Sequence, residues 1–64
     1  MSRLQELRKS TGLSQPQLAE KSGVSLSMIR DYEQGRRSLN GIGIARALPL
    51  ARALGVSIED LIED

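Results

Sequence analysis

Ser27, Arg30, Asp31 and Gln34 follow one another at helical intervals, and Arg36 and Arg37 come just after them. At about 100° per residue, with Ile29 as the buried origin, these four side chains fall within roughly 60° of a direction about 160° away. Ser25, Leu26, Tyr32 and Glu33 fall on the Ile29 side, and Met28 lies on the border. A hydroxyl, a guanidinium, a carboxylate and an amide on one outward face can match base edges and phosphates in a DNA major groove. Taken alone, the same set also describes an ordinary solvated helix face. Two further groups belong to the same side: Ser14, Gln15 and Gln17, where the free backbone N–H groups of a helix start make a modest phosphate seat, and the Arg36–Arg37 pair.

Glu33 poses a separate question, because the wheel turns this carboxylate inward, where an unpaired charge is costly. Arg8 is the best partner, being one residue beyond Leu7 and four beyond Leu4 on an apolar stripe. An Arg8–Glu33 ion pair is expected to tie the first helix to the third. The alternative is a Glu33 side chain that reaches back to water.

The elements that must position these groups are legible from caps and stops. Ser2-Arg3-Leu4-Gln5 has capping-box spacing, so a first helix is expected from about Arg3 to Thr11, stopped by Gly12. Ser14-Gln15-Pro16-Gln17 repeats the box, with Pro16 in a first turn that needs no N–H from it, and predicts a second helix over about Gln15 to Ser22. Gly23 supplies the positive φ of a sharp turn, Ser25 caps a third helix running to Gln34, and Gly35 closes it. Ala19 is small where these two helices approach. The pair has the size of a helix-turn-helix unit.

Beyond it, Ile44, Ala47, Leu48, Ala51 and Leu54 are helically spaced but interrupted by Pro49. Either the fourth helix starts near Ala45, leaving Pro49 close to its first turn, or it starts at an Asn40 cap and kinks at Pro49. The glycines at 41 and 43 favour the later start. Ser57 begins a short fifth helix whose apolar face is Ile58, Leu61 and Ile62.

Composition narrows the class. With no Cys and no His, there is no disulfide, no Cys/His zinc site, no thiol nucleophile and no imidazole base. Asp, Glu, Ser and Lys remain, but no spacing groups them into a nucleophile and base, so the chain reads as no enzyme and calls for no cofactor. Tyr32 is the sole aromatic residue, too few for the stacking faces of single-strand or RNA readers. Leu and Ala dominate the apolar set, which favours helix over strand. No apolar run approaches the roughly 18 residues of a membrane span, and no signal-peptide core follows Met1. The expected protein is all-α, a single domain over residues 1–64 and cytoplasmic.

The combined residues resemble the Cro/C1 repressor type of helix-turn-helix, the XRE family. Its carriers are Leu4 to Arg8, Gly12-Leu13-Ser14-Gln15, Leu18-Ala19-Glu20-Lys21, Gly23-Val24-Ser25 with Ser27 and Ile29, Tyr32 to Arg37, and Leu50 to Ser57. The resemblance implies a compact five-helix, lambda-repressor-like bundle that binds a double-stranded operator as a homodimer and regulates transcription. It implies that Leu26, Ser27, Arg30 and Asp31 lie nearest the bases and that Gln15 meets phosphate; Ser14, Gln17, Gln34, Arg36 and Arg37, by their place on the same side, are expected to meet phosphates too. Gln15 also braces the reading helix. The dimer surface would come from the fifth helix (Ile58, Leu61, Ile62) and the end of the fourth.

Three departures stand out. Pro16 follows Gln15, the stretch from Gly35 to Ala51 is about three residues longer than the usual spacing, and Leu26 and Met28 replace polar residues. Asp31 could accept from cytosine, or pair with Arg30 or Arg36 and read nothing. Two other functions fit the same residues: an antitoxin that binds DNA and a toxin partner, or an interaction module that reads no DNA.

The net charge of +1 conceals a division. Residues 1–56 hold all nine basic residues and only Glu6, Glu20, Asp31 and Glu33, a net of +5, whereas Glu59, Asp60, Glu63 and Asp64 make residues 57–64 −4. A basic surface and an acidic C-terminal end are set apart on one small chain.

Overall fold

The serine caps form and set the starts of their helices. The computed structural model describes residues 2–62, the Asn40 side chain excepted; Glu63 and Asp64 of the acidic end lie outside the described residues. Ser2 Oγ accepts from the Gln5 N–H at 3.0 Å and begins α1 (Arg3–Ser10). A reciprocal box starts α2 (Gln15–Ser22): Gln17 N donates to Ser14 Oγ at 3.2 Å and Ser14 N to Gln17 Oε1 at 2.9 Å. Ser25 Oγ accepts from Met28 N at 3.2 Å and begins α3 (Leu26–Glu33). After a 3-10 turn over Leu39–Gly41 come α4 (Ile44–Leu54) and the single-turn α5 (Ile58–Leu61). Among the described residues all regular structure is helical.

Gly23 takes φ +76° and donates its N–H to the Ala19 carbonyl at 2.9 Å, which ends α2 and turns the chain within three residues. Val24 is buried in that turn, and Ala19 is half-buried against the core. α2 packs on both α3 and α4, α1 packs on α3 and α5, and α4 on α5. Leu4, Leu18, Ile29, Leu50 and Leu61 are fully buried where these elements meet. Burying each contributes about 1.5–3 kcal/mol. The inner side of the helix-turn-helix is thereby fixed to the other helices, and its outer side is left open.

The fourth helix departs from expectation in two ways. It starts at Ile44, so the later start holds, but Pro49 is an interior residue of the helix rather than a neighbour of its first turn. Without a proline N–H, the Ala45 carbonyl loses its helical donor. Ala45 is exposed, so water can replace that donor, and the buried side chains of Ala47, Leu50, Ala51, Ala53 and Leu54 carry the helix through the proline. Ile44 and Leu48, expected on the inner stripe, are instead 69% and 37% exposed. Ile44 lies in the first turn, ahead of the buried stretch.

The extra residues before α4 are anchored rather than loose. Leu39 and Ile42 are both buried, and Ile42 N donates to the Leu39 carbonyl at 3.1 Å. Gly43, at φ +79° and ψ 151°, then redirects the chain into the helix with no side-chain cap. That region is essentially closed to residues with a Cβ. Gly43→Ala is therefore expected to cost about 1–3 kcal/mol, read as a lower urea midpoint with an unchanged slope. Gly41→Ala is the control, since Gly41 has no positive φ and a Cβ there meets nothing within 4 Å; equal losses from the two changes would sink the argument.

The expected dimer face also needs correction. Leu61 is fully buried within the chain and has no surface left for a partner. The cause is the placement of the single-turn α5, which folds back on α1 and α4 and is tied there by Arg3 Nε donating to the Asp60 carbonyl at 2.7 Å. Ile58 is half-buried against the same core, and Ile62 is 38% exposed.

Candidate nucleic-acid interface

Packing of Ile29, Tyr32 and Glu33 inward turns the opposite side of α3 to solvent. Ser27, Arg30 and Gln34 are exposed there, and Asp31 is partly shielded. Leu26, in the first turn, is half-buried, and Met28 packs against the core from the border. Ser25 lies on the inner arc of the wheel yet is exposed, because its side chain is drawn to the backbone as the cap.

A charged network holds this face from behind. Arg8 Nε donates to Glu33 Oε2 at 2.6 Å and Arg8 Nη2 to Glu33 Oε1 at 3.1 Å, the two-pronged geometry in which a guanidinium matches a carboxylate. Gln15 Nε2 adds a third bond to Glu33 Oε1 at 3.0 Å, and Arg8 Nη1 donates to the Leu13 carbonyl at 2.8 Å. The two charged side chains are 11% and 2% exposed. Side chains of α1 and α2 thus converge on one buried carboxylate of α3, and the loop before α2 holds the guanidinium that pairs with it. Glu33 does not reach back to water. The Leu13 contact leaves no trace in the sequence, because a backbone carbonyl can serve at any residue.

The other expected phosphate contacts are divided. Ser14 and Gln17 are exposed at the start of α2, but Ser14 Oγ and Gln17 Oε1 already accept within the capping box, which leaves the Gln17 amide hydrogens outward. Gln15, half-buried, has one amide hydrogen on Glu33 and a second in reserve. Arg36 and Arg37 stand exposed beyond α3, where they meet Asp31 rather than solvent alone: Arg37 Nε lies 3.3 Å from Oδ2 and Arg36 Nη1 3.6 Å from Oδ1. Of the two partners open to Asp31, Arg36 is engaged and Arg30 is not; Arg37 is a further partner. Among the described residues, Arg30 makes no ion pair.

A helix-turn-helix family model matches residues 4–61, nearly the whole of this arrangement. The chain belongs to the Cro/C1-type helix-turn-helix family. No curated protein and no solved structure is matched by the chain. As a member of this family it is a DNA-binding helix-turn-helix regulator, of a kind that is usually non-enzymatic. Its five helices and its α2–α3 unit are those of the family's domain. Among the described residues no group of His, Cys, Asp or Glu could hold a metal ion, and no helix is long and apolar enough to cross a membrane.

Proposed function

We propose that this protein is a sequence-specific binder of double-stranded DNA, a repressor-type transcriptional regulator that acts as a homodimer on a two-fold operator through the major groove. The observation that carries this reading is the outward face of α3, with Ser27, Arg30 and Gln34 exposed on a helix whose rear is locked by Arg8, Glu33 and Gln15. Rigid backing matters because base readout depends on placing donors to a fraction of an ångström. Leu26, Ser27 and Arg30 face the bases, Leu26 through thymine methyls. Gln15, Gln17, Gln34, Arg36 and Arg37, with the Ser14 end of α2, meet the phosphates.

The dimer reading draws on three large apolar side chains that the chain leaves exposed, Ile44, Leu48 and Ile62. Ile62→Asp is expected to shift sedimentation toward monomer at high micromolar concentration while leaving the urea midpoint nearly unchanged at a dilution where the wild type is also monomeric. A variant that still sediments as a dimer would remove Ile62 from the interface, and a wild-type monomer at that concentration would remove the dimer.

Selection of bound fragments from random duplex DNA tests the whole reading. The expected result is an inverted repeat with half-sites about one helical turn apart, bound with a log–log salt slope near −0.9 per phosphate contact. No enrichment at low salt would overturn it.

A further inference from the structure

Asp31 is the only carboxylate on the outward face of α3. Set bare against a polyanion, it would repel its own ligand. It is not bare. Its carboxylate faces two guanidinium groups, Oδ2 accepting from Arg37 Nε at 3.3 Å and Oδ1 lying 3.6 Å from Arg36 Nη1. The main chain makes the same connection, since the Asp31 carbonyl accepts from Arg36 N at 2.9 Å and Arg37 N at 3.3 Å. Gly35 N donates to the Tyr32 carbonyl at 3.3 Å in the same helix-ending turn. Main chain and side chain of one residue therefore gather both arginines at the end of α3.

The arginines are the more exposed members of the cluster. The Asp31 side chain is 25% exposed, whereas Arg36 and Arg37 are 71% and 56% exposed. An approaching phosphate meets the guanidinium groups before the carboxylate. A guanidinium carries five N–H donors, so a bond through Arg37 Nε leaves both Nη groups outward, and the Arg36 contact through Nη1 leaves its Nε and Nη2. Asp31 engages one nitrogen of each guanidinium and leaves the remaining donors available.

We propose that Asp31 is a positioning residue for DNA binding: it reads no base, and instead holds Arg36 and Arg37 side by side as a two-pronged contact to the phosphate backbone next to the reading helix. Phosphate contacts of this kind set the register of a reading helix. Arginines gathered in advance have less rotamer freedom to lose when the phosphate arrives. The proposal rests on the DNA-reading function above, and it explains why an acidic residue sits on a face otherwise suited to an anion.

The test compares the wild-type chain with Asp31→Ala on two duplexes, one selected by the wild type from a random pool and one scrambled duplex of equal length and composition, over a salt series. Asp31→Ala is expected to bind both duplexes more weakly, because a disordered phosphate contact weakens all sequences alike. The loss should be about three- to tenfold on each, the range that two surface ion pairs can supply. Repeat selection with the variant should return the same base preference, and the Arg37 Nε–H resonance of the free protein should exchange with solvent faster than in wild type. Equal tightening on both duplexes makes Asp31 a mere source of repulsion, and unchanged affinity makes it idle; either overturns the proposal. Relaxed preference confined to one base pair makes it a base reader, which also overturns it. If the wild type enriches no sequence, the DNA reading itself falls, so the two failures are told apart by the wild-type arm.

Discussion

Arg8→Ala is expected to remove about 3–5 kcal/mol of folding stability, the range for breaking a buried ion pair from one side. The variant loses both bonds to Glu33 and the bond to the Leu13 carbonyl, and it leaves a carboxylate whose side chain is 2% exposed with only the Gln15 amide as partner. A domain of this size has roughly 3–10 kcal/mol in total, so urea denaturation should find the variant largely unfolded or close to it. The double variant Arg8→Met with Glu33→Leu should recover much of the loss, because apolar replacement of a whole buried pair is often neutral. Its DNA binding should nevertheless fall, since Gln15 then has no acceptor on α3. A single Arg8→Ala variant within about 0.5 kcal/mol of wild type, the scatter of ordinary surface changes, would show the network to be idle.

The reason that pair could be inferred from sequence is local. A wheel fixes the direction of Glu33 to within a fraction of a turn, and a buried carboxylate demands a cation, which leaves few choices in a chain with nine. The first three helices are legible for a similar reason: serine caps and glycine stops act within four residues of themselves. What the sequence hid depends on distant parts of the chain. Periodicity marks Leu61 as apolar-facing but does not say whether the facing surface is α1 and α4 of the same subunit or another copy. Ile44 and Leu48 fit the helical period of α4, yet the neighbouring helices cover only its other side. Pro49 lowers helix propensity, and the burial of five side chains around it outweighs that preference. Asp31 points outward on any wheel, but its partners lie past the end of the helix, where their position depends on the turn at Gly35.

Arg30→Ala should produce the largest change in recognition. Arg30 stands on the exposed face between Ser27, three residues before it, and Gln34, four after it. Unlike Arg36 and Arg37 it has no carboxylate holding it among the described residues. A guanidinium so placed can bond a guanine through O6 and N7 together, a contact that discriminates by about 1–3 kcal/mol. On a two-fold operator the loss occurs in both halves, about 2–6 kcal/mol in all at about tenfold in affinity per 1.4 kcal/mol. Repeated selection with the variant should then show preference relaxed at one base pair in each half-site, at positions related by the two-fold axis, with the salt slope nearly unchanged. Arg37→Ala serves as the contrast, because a phosphate contact should weaken all sequences alike and reduce the slope by about one contact per subunit. If Arg30→Ala behaves like Arg37→Ala, Arg30 is a backbone contact and the base-reading role passes to Leu26 and Ser27. If preference relaxes in one half-site alone, the two copies do not present the same helix to the same groove, and the symmetric homodimer is the part of the reading that fails.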